Sequence, residues 1–407
     1  MQDRIRTEVV RDLVMLRSHA EAWDQLAMQA PQRLPMLSHA WVSAYLEHCL
    51  QADVHWACLF AYHGENLVGV MPIIPTSYTF FCWHVSVIET PFDKHTRSGD
   101  ILTAQGYESP VIEKFLATLE ESADYRSYFL LHLKGVRRGS PVLATWHALK
   151  SFTFLDSAES GSFLEISGSI DTFKAGISKN FAGNLRKSEN KLAKLPQLSV
   201  EFITGESIAG AELQRFLLLE DSGWKGSKGT SVARCPRTAR FYAAMTEHLR
   251  EKGWLEWHFL STEHQTIAGQ LAVRFGRSLV ILKIAYNEDY ATCAPGNHLF
   301  LRTVERAFAS GDIDEVNCLT DMPWHRNWRM KSCPYYDVEM YPHRLFSFIF
   351  GVAPKWSRSV VKRMPGLRPL VRGVRSWVST SAKEARNHSA VLLTEGFLYR
   401  LFDSLIR

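Results

Sequence analysis

A chain of 407 residues with 46% hydrophobic, 22% charged and 12% aromatic residues has the composition of a folded globular protein and excludes a disordered or fibrous one. That length exceeds what a single hydrophobic core usually supports, so two folded units are expected. The net charge of +5 is smaller than the charge of residues 355–375 alone, where Lys355, Arg358, Lys362, Arg363, Arg368, Arg372 and Arg375 meet no Asp or Glu, so the rest of the chain is near neutral.

The opening residues MQDRIRTEVVRDLVML interleave charge with apolar positions, which reads as neither a signal peptide nor a transmembrane helix and points to a cytoplasmic location. Seven cysteines are scattered without a C-x-x-C pair, so reduced, mostly buried thiols and no metal site are expected.

In chain order, apolar spacing predicts helices near Val10–Met28 and His39–Cys49, then strands Val54–Tyr62, Asn66–Ile74 and Trp83–Glu89. A helix at Ser109–Ser122 and a strand at Tyr128–Leu133 complete the first half, and Leu155–Ser162 reads as a connection. The second half begins with a short strand at Ser162–Ile166 and a helix Thr172–Leu195 that Pro196 stops. A strand Leu198–Thr204 and helices Ser207–Asp221 and Pro236–Glu251 follow. Leu255–Ser261, Ile267–Phe275 and Ser278–Tyr286 lie so close together that they form an antiparallel meander. The loop Asn287–Gly296 then enters a helix Asn297–Ser310, closed by Gly311 before a strand Glu315–Leu319.

The halves repeat one order of elements. Their hairpin turns also match, YHGENLVG at Tyr62–Gly69 against TEHQTIAG at Thr262–Gly269. An internal duplication explains both. The expected architecture is α/β (α+β), two like domains in tandem, each a mixed, mainly antiparallel sheet flanked by helices, plus a C-terminal helical tail. The expected boundaries are 1–160, 161–345 and 346–407.

Three segments could carry chemistry. The helix start after Pro295-Gly296 offers free N–H groups that suit a diphosphate, although such junctions are common. The stretch 174–194 holds Lys174, Lys179, Arg186, Lys187, Lys191 and Lys194, either an anion clamp or a solvated basic face. The Gly-rich loop around Trp224-Lys225 could form a substrate wall or an ordinary surface loop.

Ser178-Lys179-Asn180 with Leu185-Arg186-Lys187, Gly223-Trp224-Lys225-Gly226, Ile267-Ala268-Gly269, Tyr286 with Tyr290, and Pro295-Gly296 resemble the acetyltransferase family associated with cellulose and exopolysaccharide biosynthesis, the CelD/BcsL type. The resemblance spans Phe163–Cys333 and extends to Leu67-Val68-Gly69 and Pro72. It implies a GNAT fold related to the tandem Fem-type aminoacyltransferases, with acyl-coenzyme A (acetyl or longer) as donor and an amine acceptor in polysaccharide or cell-envelope metabolism. Ser178, Asn180, Arg186, Trp224 and Lys225 are then the substrate-binding positions. Ile284, Pro295, Gly296, Asn297, His298 and Leu299 are the donor-binding ones. One departure is Trp324-His325-Arg326-Asn327-Trp328, where that family often has Tyr-Lys-x-x-Trp.

A GNAT mechanism would draw on backbone N–H groups near Ile284–Tyr286 for the thioester carbonyl, with Tyr286 itself among the catalytic positions, and on Asp221 or Glu288 as the base. His325 would return a proton to the thiolate. The first half is expected to be a degenerate copy that shapes the acceptor cleft. Its loop Pro91–Asp100 offers Asp93, His95 and Arg97, or is a plain connection. Two further readings are an aminoacyl-tRNA donor, which would make tRNA the only nucleic-acid partner, and a non-catalytic scaffold. Residues 354–378 form two short amphipathic basic segments that either touch anionic membrane at its inner face or pack on the body.

Overall fold

The computed structural model describes residues 5–80, 83–149, 151–353 and 355. The first seven strands belong to one sheet. They are β1 (Arg6–Val10), β2 (Ala57–His63), β3 (Asn66–Phe80), β4 (Trp83–Glu89), β5 (Leu102–Thr103), β6 (Leu130–Arg137) and β7 (Phe152–Ser157). Seven more follow: β8 (Gly161–Glu165), β9 (Ser199–Thr204), β10 (Leu255–Ser261), β11 (Thr266–Phe275), β12 (Ser278–Tyr286), β13 (Glu315–Asn317) and β14 (Lys331–Cys333). A last strand, β15 (Tyr335–Tyr341), returns to the first sheet.

The two sheets have the same plan. The first runs β1-β2-β3-β4-β6-β15-β7, with β5 alongside β3, and the second β9-β10-β11-β12-β13-β8-β14. In each, three antiparallel pairings are followed by one parallel pairing, β4 with β6 and β12 with β13, and then by two antiparallel ones. This repeated order is the duplication that the element pattern suggests. The chain crosses between sheets twice, from β7 to β8 and from β14 to β15, so β15 within 161–345 completes the first sheet rather than the second.

Local sequence explains the meander. Strand β10 is buried along its whole length, and the turn from β11 to β12 uses Gly276 at φ 57°, a left-handed conformation that a short hairpin requires. The expected single helix over 172–195 is instead two, α6 (Ile170–Gly176) and α7 (Lys179–Leu192). Gly176 lies against the Arg329 guanidinium, and the extended Ser178 caps α7 by accepting from the Phe181 N–H at 3.2 Å. At the N-terminus, the expected helix from Val10 gives way to β1, α1 (Leu13–Ser18) and α2 (Ala20–Gln29).

The units meet through α3 (His39–His48) and α10 (Pro236–Glu251). Phe241 packs edge-on against Trp41 and Tyr45, with ring centroids 5.7 and 6.4 Å apart. One apolar core runs from Trp41 and Phe60 in the first unit to Phe241 and Trp257 in the second. Arg137 on β6 makes a buried bidentate ion pair with Glu315 on β13 at 2.9 and 2.8 Å. Among the described residues no helix is long and apolar enough to cross a membrane. The amphipathic segments at 354–378 lie outside the described residues apart from Lys355, which pairs with Asp156 and Glu339 at 2.9 and 2.7 Å.

Of the described cysteines, Cys58, Cys293, Cys318 and Cys333 are buried, as expected, whereas Cys235 is exposed.

Candidate active site

Strands β12 and β13 run side by side only where Ser278–Val280 face Glu315–Asn317. Beyond Val280 they separate. A bulge assists: Leu271 faces Lys283 but Ala272 faces Ile281, which leaves Leu282 as an extra residue on β12. The wedge opens into a cleft of about 600 Å³ lined by Ile281–Tyr286 on one side and Cys318–Thr320 on the other.

The unpaired edge of β12 presents backbone donors. Asn287 N–H bonds to the Ile267 carbonyl at 2.9 Å, so the alternation of an antiparallel ladder directs Ala285 and Lys283 toward β11. Ile284 and Tyr286 therefore turn their N–H and C=O groups to the cleft. Lys225 Nζ, 3.5 Å from the Ile284 carbonyl, agrees with that assignment.

Beside this edge begins α11 (Pro295–Ser310), whose first residues Pro295, Gly296 and Asn297 line the cleft. Ala294, the cap, sits at φ 46° and ψ 51°, a strained left-handed conformation for a residue with a Cβ. Pro295 has no N–H and the Gly296 N–H has no intrahelical acceptor, so the helix start faces the cleft as a region of positive potential. A Cβ on Gly296 would lie 3.8 Å from the Tyr286 ring. Helix α7 adds a charge to this mouth, because Lys191 Nζ donates to the Thr292 carbonyl at 3.2 Å.

The facing wall is built by both units. Glu220, at the end of α8 (Glu212–Ser222), is buried and its Oε1 receives Lys225 Nζ at 2.8 Å and Lys283 Nζ at 3.0 Å. Its other oxygen accepts from the Val232 N–H at 2.9 Å. Burial opposes the charged form, but the two lysines outweigh it and hold the carboxyl at about 2. The first unit's loop contributes Lys94, His95 and Arg97 to the wall. His95 Nδ1 lies 3.1 Å from the Tyr242 hydroxyl, and its buried Nε2 has no hydrogen-bond partner. Burial, aided by Lys283, lowers its pKa to about 4, so the ring is neutral at ordinary pH.

The structure brings Ile284, Tyr286, Pro295, Gly296, Asn297, Trp224, Lys225 and His325 together in this cleft. Others fall elsewhere. Asp221 points away from it, accepting from Ser231 Oγ at 2.5 Å and from Arg234 at 2.8 and 2.9 Å, and these partners keep it ionised and unavailable as a base. Glu288 accepts from the Trp224 N–H at 2.9 Å. His325 lines the cleft but is buried, and its Nδ1 accepts from the Met322 N–H at 3.1 Å. Burial lowers its pKa, with Asp321 and the Thr320 backbone opposing that shift.

Ser178 is a helix cap, and Asn180 and Arg186 are exposed on α7 outside the cleft lining. His298 bonds through Nε2 to Ser188 Oγ at 2.8 Å and Leu299 is fully buried, so neither side chain lines the cleft. Glu220 and Lys283 were missed. Lys283 leaves a signal, a lone cation inside the apolar run of β12. Glu220 leaves none that separates it from Asp221.

The first unit has no matching wedge. Its loop 90–100 closes the equivalent gap, with Thr90 and Gly99 N–H groups bonded to the His132 and Lys134 carbonyls of β6 at 3.4 and 2.8 Å.

Two sheets of shared strand order, one of them split beside a helix start, form a mixed α/β architecture of two like units, and the second unit contains a segment that matches a GNAT acetyltransferase domain. Residues 179–326, a little over a third of the chain, match the family described as acetyltransferase (GNAT) domain. The fold is similar to that of FemX, with a TM-score of 0.55 at 10% identity over 81% of this chain and 96% of that chain. Further similar structures are a conserved protein of unknown function from Bacteroides thetaiotaomicron (TM-score 0.49, 11% identity, 82% of this chain and 100% of that chain) and a tandem GNAT protein from the clavulanic acid biosynthesis pathway (TM-score 0.44, 11% identity, 83% and 100%). At such identities the likeness is one of fold. No curated protein matches the chain.

Proposed function

We propose that the chain is an acyl-coenzyme A-dependent N-acyltransferase whose donor lies in the cleft between β12 and β13. One observation carries this: the open Ile284 and Tyr286 N–H edge and the start of α11 face the same cleft. The α11 start, the Gly296 N–H and Lys191 suit the donor's diphosphate. The Ile284 and Tyr286 N–H groups suit the thioester carbonyl, where negative charge develops as the amine attacks.

In the transfer, the amine nitrogen forms a bond to the thioester carbon, the carbon–sulfur bond breaks, and the proton lost by the amine balances the departing thiolate. We assign proton removal to His95, the neutral imidazole of the acceptor wall, with Nδ1–H held by Tyr242 and Nε2 left to accept. Buried, His325 shapes the cleft beside Trp324. The residues that resemble the exopolysaccharide-associated family support an acceptor from polysaccharide or cell-envelope metabolism.

Isothermal titration with acetyl-coenzyme A and longer acyl-coenzyme A species tests the donor. Wild-type protein is expected to bind, and Gly296→Val to lose at least about tenfold in affinity, since its methyl groups fill the space between the helix start and Tyr286. The backbone at Gly296 is ordinary helix, so the melting temperature should hold. Unchanged affinity would place the donor elsewhere. A second reading, with aminoacyl-tRNA as donor, draws on the exposed α7 residues Lys179, Arg186 and Lys187, none of which pairs with a carboxylate among the described residues. It predicts binding of charged tRNA that weakens steeply with salt in the same calorimeter.

A further inference from the structure

The acceptor wall carries more positive charge than proton removal and acyl transfer require. Lys225 and Lys283 share a single carboxylate oxygen of Glu220. Lys94, exposed on the first unit's loop, lines the same wall and has no carboxylate partner among the described residues. Arg97 joins the wall but is paired with Glu159. Lys94, Lys225, Lys283 and Glu220 therefore leave an excess of two positive charges.

The position of that excess matters. The Lys283 side chain is only 13% exposed, on a strand whose neighbours Ile281, Leu282 and Ile284 are apolar. Burial opposes its charge, Lys225 and Lys94 add to the opposition, and Glu220 is the one carboxylate that offsets it, with the Tyr242 ring 5.3 Å from Nζ. A buried cation with half a counterion is costly unless something anionic completes it. The donor's phosphates are assigned to the start of α11, a different element, so they leave this excess unanswered.

We propose that the acceptor is an amine that also carries an anionic group, a carboxylate or a phosphate, which Lys94, Lys225 and Lys283 bind while the nitrogen faces the donor edge. This rests on the acyltransferase reading above and adds the substrate class. It also accounts for the first unit, whose own wedge is closed and whose closing loop delivers Lys94 and His95 to the second unit's cleft. A neutral amine would leave the ammonium groups unsatisfied, so the wall selects against it.

Calorimetry on the full chain with matched amines tests this. Phosphoethanolamine against ethanolamine forms the phosphate arm, and lysine against cadaverine the carboxylate arm, each titrated with and without saturating coenzyme A. The anionic member of at least one arm is expected to bind about tenfold tighter or more, the effect of one charge-assisted contact. The arm that shows the difference identifies the anion. Lys94→Ala, a change at an exposed position that spares the fold, is expected to shrink that difference while leaving coenzyme A affinity unchanged. Equal binding within both arms, or binding of none of the four, overturns the proposal. Failure of coenzyme A to bind would overturn the acyltransferase reading instead, and the titrations without it still report the anion preference.

Discussion

Replacing His95 by Gln is expected to lower kcat about 10²- to 10⁴-fold, the usual contribution of a positioned general base, while acetyl-coenzyme A affinity stays as in wild type. Glutamine keeps a polar group near Tyr242 but cannot take up a proton. The pH profile separates this role from a packing one. With its pKa lowered to about 4 by burial, His95 is in the basic form throughout pH 5–8, so protonation of this residue produces no fall in kcat across that range. The sign follows from the depressed value: activity attributable to the neutral ring is present above about pH 4 and lost only below it. A His95→Gln enzyme with wild-type kcat, or a wild-type limb near pH 6.5 that disappears in this variant, would contradict the assignment.

The second large effect concerns stability. Arg137 and Glu315 bond through both pairs of atoms, and each has a further buried partner, the Gln32 carbonyl at 2.8 Å and Ser278 Oγ at 2.9 Å. Arg137→Met keeps the apolar stem of the side chain but leaves the Glu315 carboxylate buried without its cation, which costs about 3–5 kcal/mol. Unfolding followed by two probes should show that loss, and Arg137→Met combined with Glu315→Leu should recover much of it, because the desolvated charges are then both gone. A loss under about 0.5 kcal/mol in the single variant would mean that the pair does not join the sheets as described.

Much of the second unit was legible because its signals are local. Strands β10 and β12 fall where the apolar run and the tight turns place them, and α10 and α11 are read within two residues. Strands β1, β7 and β15 were not. Phe152–Ser157 becomes a strand by pairing with Tyr335–Tyr341, which also pairs with β6, partners almost two hundred residues apart along the chain, and no local pattern states that partnership. Arg6–Val10 is too short for its alternation to outweigh the helical spacing that follows it.

The site shows the same division. The side of the cleft proposed for the donor was legible from Tyr286 and Pro295-Gly296, since a strand, a loop and a helix start adjoin in sequence. The acceptor wall was not, because it joins a loop at 94–97 to a strand at 283 and a helix end at 220. Asp221 was preferred to its neighbour Glu220, yet adjacent residues on a helix differ by about 100° in direction, and here that rotation separates the cleft from a surface ion pair with Arg234. His325 was expected to act because histidine titrates near neutral pH. In the fold it is buried, which lowers its pKa, and its Nδ1 accepts from the Met322 N–H.

The central claim is that the donor occupies the wedge of the second unit. Amide hydrogen exchange with and without acetyl-coenzyme A tests it most directly, since the free N–H groups assigned to the donor are backbone groups that exchange with solvent. Slowed exchange in peptides covering 281–299, with no comparable change in peptides covering 84–137 of the first unit other than the shared loop at 94–97, is the predicted result. Protection centred on the first unit's β4 and β6, or none over 281–299 at saturating acetyl-coenzyme A, would contradict it.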